Sequence, residues 1–142
     1  MDCRKGRKNR CVPIHERRRK EKQIMMIKID AIVREEKYDE VMHALTDIEV
    51  NGLTVSKVIG CGVQRGYKEA VRENKDAVQM NPKVKFEIVV SSEEWADLTI
   101  NAIRKAAYTG EYGDGKIFSY EVRSALKIRT GETGYDAIQK QE

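Results

Sequence analysis

"GEYGDGKI", Gly110 to Ile117, lies within one residue of the phosphate-loop spelling G-x-x-x-x-G-K-S/T, with isoleucine in place of the hydroxyl residue that would bind magnesium. Its surroundings decide how it is read. A true phosphate loop follows a strand and opens a helix, because the free N–H groups at the helix amino end hold the phosphates. Here the order is reversed. "SSEEWADLTINAIRKAA" (91–107) comes before it, with Ser91 and Glu94 in capping-box spacing and Trp95, Leu98, Ala102 and Ala106 along one face of an amphipathic helix. "KIFSYEV" (116–122) follows as a strand, with "KIRTG" (127–131) as a short closing extension. The stretch therefore leaves a helix and enters a strand, and the phosphate-loop mechanism fails. Taken alone, "GDG" is a tight turn in which Asp114 and the glycines serve backbone geometry; its exposed N–H groups and Lys116 would still suit a phosphate.

Upstream, "MIKIDAIV" (26–33) alternates Ile27, Ile29, Ala31 and Val33 against polar neighbours, the period of a half-buried strand. "KYDEVMHALTDI" (37–48) changes to helical steps through Tyr38, Val41, Met42, Leu45 and Ile48, and Asn51-Gly52 offers left-handed residues to end the helix. "LTVSKVI" (53–59) and "KVKFEIVV" (83–90) are two further strands. Between them lies a connection longer than a hairpin needs, glycine-rich at its start and ending in the Asn81-Pro82 break. The order β-α-β-β-α-β specifies an α+β, ferredoxin-like fold: a four-stranded antiparallel sheet with two helices on one face and a long β2–β3 loop. The other face stays bare, and its apolar positions favour contact between subunits.

With 142 residues, 40% hydrophobic content and a mean hydropathy of −0.63, the chain has room for one ordinary domain. It has no apolar run long enough to span a membrane and no secretory h-region, so a cytoplasmic location is expected. Cys3, Cys11 and Cys61 are an odd set without framework spacing, which suits reduced thiols. Almost all of the net +4 charge lies in residues 1–22, while 23–142 is slightly acidic. Residues 1–24 are accordingly read as a basic, disordered extension, or an upstream start-site artefact ahead of Met25 and Met26, and residues 25–142 as the domain. A basic run such as Arg17 to Lys20 could instead touch nucleic acid or an anionic membrane surface.

Two further stretches strengthen an anion reading: "GCGVQRG" (60–66), glycine-rich with the amide of Gln64, and "KIRTGETG" (127–134), with Lys127 and Arg129 two residues apart on one strand face. Taken in order, "KVIGCGVQRG", "NPKVKFEIVV", "TGEYGDGKIF" and "IRTGET" resemble the PII signal-transduction proteins of nitrogen metabolism over Met26 to Glu132. The resemblance implies a homotrimer with three intersubunit clefts that bind ATP or ADP, and 2-oxoglutarate through a magnesium ion held by the ATP phosphates. By position, Gly60, Gly62 and Gln64 open the long T-loop (62–81); Gln64 matches the magnesium ligand, and Gln64, Gly66 and Lys83 match the oxoacid site. Gly113, Asp114, Gly115 and Lys116 match the phosphate-side loop, Lys127 and Arg129 the pair arriving from the neighbouring subunit, and Thr54 and Glu87 positions around the adenine. A regulated target protein in nitrogen metabolism would be the T-loop's partner, with no specific nucleic acid and no membrane insertion.

The chain also departs from that pattern. Val63 stands where the family has an arginine, Lys127 replaces a guanidinium fork by a point charge, and Glu35 replaces a proline. Val71 and Asp76 take the two loop tyrosine positions and Asn74 the serine position, so no modification is expected at those places. Two rival readings stand beside this one. An RNA-recognition domain shares the element order, but "KVKFEIVV" offers only Phe86 for base stacking. An enzyme would have to be built around Cys61, with no base and orienting group evident, so no catalytic residue is assigned.

Overall fold

In the computed structural model, the described residues are 25–50, 52–61 and 80–139. Readings made on residues 1–24, on Asn51 and on residues 62–79 lie outside them. The strands are β1 (Ile27–Arg34), β2 (Leu53–Cys61), β3 (Met80–Val90) and β4 (Gly115–Glu121); the helices are α1 (Tyr38–Asp47), α2 (Glu93–Ala107) and the short α3 (Tyr135–Ile138). The four strands form one sheet in the order β2-β3-β1-β4, every neighbouring pair antiparallel. This is the βαββαβ ferredoxin-like arrangement expected from the order of elements.

The core forms where the period-two pattern of the central strands meets the helical stripes. Ile29, Ala31 and Val33 of β1 lie opposite Ile88, Phe86 and Val84 of β3, all buried, so the small Ala31 faces the large Phe86 across the ladder. Val41 and Leu45 of α1 close over them, and Tyr38 stacks on Phe86 with ring centroids 5.9 Å apart. Phe86 is thus a core residue on the helix-covered side, where it cannot stack on a base.

Several details differ from the sequence reading. The cap of α2 is Ser92, whose hydroxyl accepts the Trp95 N–H at 3.2 Å. Its buried residues are Ala96, Thr99, Ile103 and Ala107, one position along from the expected face, leaving Trp95 and Leu98 largely exposed. α1 closes ahead of the expected Gly52, through Glu49, with φ 59°. The Glu49 N–H bonds the Thr46 carbonyl and the Val50 N–H the Leu45 carbonyl, the double closure of a Schellman motif. Asn81-Pro82 is no break. β3 begins at Met80 and pairs with β2 out to Cys61, because β1 stops at Arg34 and the proline lies where β3 has a partner on one side only.

Glu35 does not disturb the exit of β1. Arg34 already holds the extended geometry, φ −59° and ψ 141°, to which a residue before proline is confined, and Glu35–Lys37 continue as a 3-10 turn. The bare sheet face is more charged than expected. Lys28 pairs with Glu87 at 2.6 Å, Lys85 reaches Glu87 at 3.3 Å and Asp30 at 3.5 Å, and the Tyr120 hydroxyl donates to Asp30 at 2.9 Å. Alternation puts these groups together for the same reason that it buries their neighbours.

Candidate functional site

The end of β1 and the start of β3 meet the "GEYGDGKI" loop at one end of the sheet. Asp114 organises that loop: its carboxylate accepts the N–H groups of Thr109 (2.9 Å) and Gly110 (3.0 Å) and the Thr109 hydroxyl. Arg34 adds Nε to Asp114 Oδ1 at 3.1 Å and Nη2 to the Tyr112 carbonyl at 2.6 Å. With these donors, led by Thr109, the Asp114 carboxyl is held well below the usual carboxylate range. Lys83 Nζ donates to the Gly113 carbonyl, and burial, then the nearby Arg34 charge, lowers its pKa.

Two glycines sit in close quarters here, and the second is required by space. A Cβ on Gly60 would lie 3.1 Å from Lys83 Cγ, so its absence lets the lysine stem lie across β2. Gly115 has φ 105°, and a Cβ there would sit 1.8 Å from the Ile32 carbonyl oxygen, a collision with the backbone of β1. Lys116 follows on β4, exposed, with Ile32 as its ladder partner. A cleft of about 460 Å³ opens beside this group, with Arg34, Glu36, Lys83 and Gly113 in its wall.

Lys83, Gly113, Asp114 and Gly115 therefore lie at one end of the sheet, with Gly60 against the Lys83 stem on the edge strand β2 and Lys116 one residue into the other edge strand, β4. Thr54 and Glu87 are not among them. They face each other across β2 and β3 nearer the opposite end, and line a cavity of about 700 Å³ with Val89, Trp95 and Tyr135. The Glu87 carboxylate is engaged there by Lys28 and Lys85. Lys127 and Arg129 lie beyond the Glu121 end of β4, and not on a strand. A single bridge, Leu126 to Thr133, closes a turn in which the Lys127 N–H bonds the Glu132 carbonyl and the Gly131 N–H the Lys127 carbonyl, both at 2.8 Å. Lys127 Nζ lies 2.9 Å from the Glu132 carboxylate. The glycine and threonine of "RTGET" favour this tight closure over strand continuation.

Gly62, Val63, Gln64, Gly66, Val71, Asn74 and Asp76 lie outside the described residues. Arg34 is the site residue that sequence reasoning missed: a lone arginine ending a strand reads as a solvated charge, and only the sheet order brings it to the loop. Among the described residues, no group of three or more His, Cys, Asp or Glu side chains could hold a metal ion, and no helix is long and apolar enough to cross a membrane.

A family model described as nitrogen regulatory protein P-II matches residues 26–132. The nitrogen regulatory protein P-II of Rhizobium meliloti (strain 1021) is 48% identical over 113 residues, 80% of this chain and all of that protein. Nitrogen regulatory protein P-II 1 of Methanothermobacter thermautotrophicus is also 48% identical over 113 residues, 80% of this chain and 97% of that one. Among solved structures, Arabidopsis thaliana PII bound to citrate aligns with a TM-score of 0.63 and 38% identity, covering 80% of this chain and 92% of that one. The B. subtilis GlnK-ATP complex aligns with a TM-score of 0.62 and 35% identity, covering 80% and 97%.

Proposed function

The chain belongs to the nitrogen regulatory protein P-II family, and from that premise we propose that it is a non-enzymatic, homotrimeric sensor of ATP, ADP and 2-oxoglutarate that regulates a target protein through its T-loop. The observation that carries this reading is the separation of anion-friendly groups within one chain. Lys83, Lys116 and the Asp114-organised loop lie at one end of the sheet, Thr54 and Glu87 stand nearer the other end, and Lys127 and Arg129 lie on a turn beyond the Glu121 end of β4. A neighbouring copy would supply the missing half of each cleft. ATP in the B. subtilis relative and citrate, a polycarboxylate, in the plant relative support ligands of this charge class.

In the proposed cleft, backbone N–H groups around Gly113 and Gly115 and the Lys116 ammonium receive the phosphates, while Lys127 and Arg129 of the adjacent subunit neutralise them from the other side. Lys83 takes a carboxylate of 2-oxoglutarate, with backbone groups near Gly62, Gln64 and Gly66 around it. Gln64 would be the protein residue that holds a magnesium ion beside the ATP phosphates. An amide oxygen and phosphate oxygens are hard oxygen donors of the kind Mg²⁺ takes. When bound, it screens triphosphate from oxoacid. Ligands that order the base of the 62–81 loop change the population of loop conformations open to a target. Val71, Asn74 and Asp76 leave no hydroxyl at the customary modification positions, so no control by modification is expected at those places.

Calorimetry with ATP and ADP, each with and without Mg²⁺ and 2-oxoglutarate, tests this. Both nucleotides should bind and compete, with 2-oxoglutarate binding only beside Mg·ATP; silence toward both would overturn the sensor reading.

A further inference from the structure

β1 is entered at the end where Ile27 pairs with Val90 and with Glu121, and Met25 packs against the helix-side core. The chain therefore enters the domain on the side of the helices. α2 begins at Glu93, just after Val90, and α1 ends at Asp47, shortly before Leu53 pairs with Ile88. Both of these helix ends lie beside the entry point, and around them are five exposed carboxylates: Asp47, Glu49, Glu93, Glu94 and Asp97. None of the five forms an ion pair among the described residues. α1 has no basic residue in its last turn, so its carbonyl end, where a cation is favoured, holds Asp47 instead. From Asp47 a groove of about 960 Å³ runs between α1 and α2, walled by Ile48, Leu98, Ala102 and Tyr108, with Arg104 and Lys105 toward its far end. We propose that this groove and its acidic mouth are a docking site for the chain's own residues 11–22.

Charge, length and order all suit that occupant. Residues 1–24 hold ten Lys and Arg against three Asp and Glu, and Arg17-Arg18-Arg19-Lys20 stands only a few residues ahead of Met25. At about 3.3 Å per extended residue this run reaches about 16–26 Å from the entry point. The fifteen residues of α2 span about 22 Å, so all five carboxylates are within range. Farther out comes "CVPI" (11–14), an apolar stretch that falls against the apolar wall once the basic run sits at the mouth. Arg104 and Lys105 then turn the more basic residues 1–10 away from the far end. Each exposed ion pair is weak, but the tether holds the run at an effective concentration on the order of millimolar, so a modest affinity suffices. A second copy is the poorer occupant, because two faces bearing the same carboxylates repel each other. The docked run is in turn withheld from nucleic acid and from anionic membrane surfaces.

Trp95, the single tryptophan, lies on α2 between Glu94 and Asp97, and Cys11 opens the apolar stretch, so energy transfer between them reads docking directly. The full chain with Cys3→Ser and Cys61→Ser takes a dansyl acceptor on Cys11 alone. Transfer is measured at about 20 mM and about 0.5 M salt, because screening weakens exposed ion pairs. It should be efficient at low salt and fall about threefold at high salt. Arg17→Glu/Arg18→Glu/Arg19→Glu should keep it low at both, and adding Asp47→Lys/Glu93→Lys/Asp97→Lys should restore it, which a misfolded chain would not do. Low, salt-independent transfer in the starting chain would overturn the proposal and leave the groove to a foreign partner. Transfer untouched by the arginine reversal, or not restored by the second reversal, would overturn the charge pairing on which it stands. Co-refolding with excess unlabelled Trp95→Phe chains should leave transfer unchanged; its loss there would make a second copy the occupant and overturn docking within one chain.

Discussion

Glu49 holds a left-handed backbone, φ 59°, at the C′ position of α1, where an L side chain crowds its own carbonyl and glycine does not. Glu49→Gly should raise stability by about 0.5–1 kcal/mol, the relief of that crowding less the greater entropy of a glycine in the unfolded chain. Chemical denaturation would check it, and a lower midpoint would contradict the motif. Asp114 gives a pH signature. Its folded pKa is depressed, so its contribution to the loop is fully present above the unfolded value of about 4 and is lost as pH falls through the folded value. The Thr109 and Gly110 amide resonances should therefore hold their positions from pH 7 to about pH 4 and move only below that. Movement between pH 6 and 5 would show that the carboxylate is not held as described. Asp114→Asn should abolish the acid transition.

At the scale of elements, the types and order of helices and strands were legible because each segment keeps one period throughout: Ile27 to Val33 in steps of two, Tyr38 to Leu45 in steps of three and four. The phase of α2 was not. Trp95, Leu98, Ala102 and Ala106 form as good an apolar stripe as Ala96, Thr99, Ile103 and Ala107, and side-chain bulk in the sequence favours the former. What decides is the close approach of helix to sheet, which selects the slimmer face around Ile103 and leaves Trp95 42% exposed. The paired serines hid the cap for a similar reason, since either hydroxyl fits the spacing. Ile103→Ala should cost about 3 kcal/mol, whereas Leu98→Ala should cost less than about 1 kcal/mol. Equal losses in urea unfolding would return the helix to the other phase. The candidate site divides in the same way. "GDGK" was legible as an anion loop because its residue types are local, but the meeting of Arg34 and Lys83 with it depends on the strand order β2-β3-β1-β4, which no local pattern contains.

For the whole molecule, the described surface is unusual for a lone subunit. Ile59, Phe118, Leu126 and Ile128 are all at least half exposed, Ile128 at 96%, on the two edge strands and on the turn beyond β4. Apolar groups so placed suit burial by further copies of the chain. In the trimer proposed above, a repeated head-to-tail contact joins Lys127 and Arg129 of one subunit to the Gly113–Lys116 loop of the next. The most direct measurement is complementation between subunits. Lys116→Ala chains and Lys127→Ala/Arg129→Ala chains should each assemble as trimers and each bind Mg·ATP weakly. Unfolded together in equal amounts and refolded, they should recover strong binding at about a quarter of their clefts, because each mixed trimer joins one intact loop to one intact turn. Mixtures that bind no better than the separate variants would contradict a site shared between subunits.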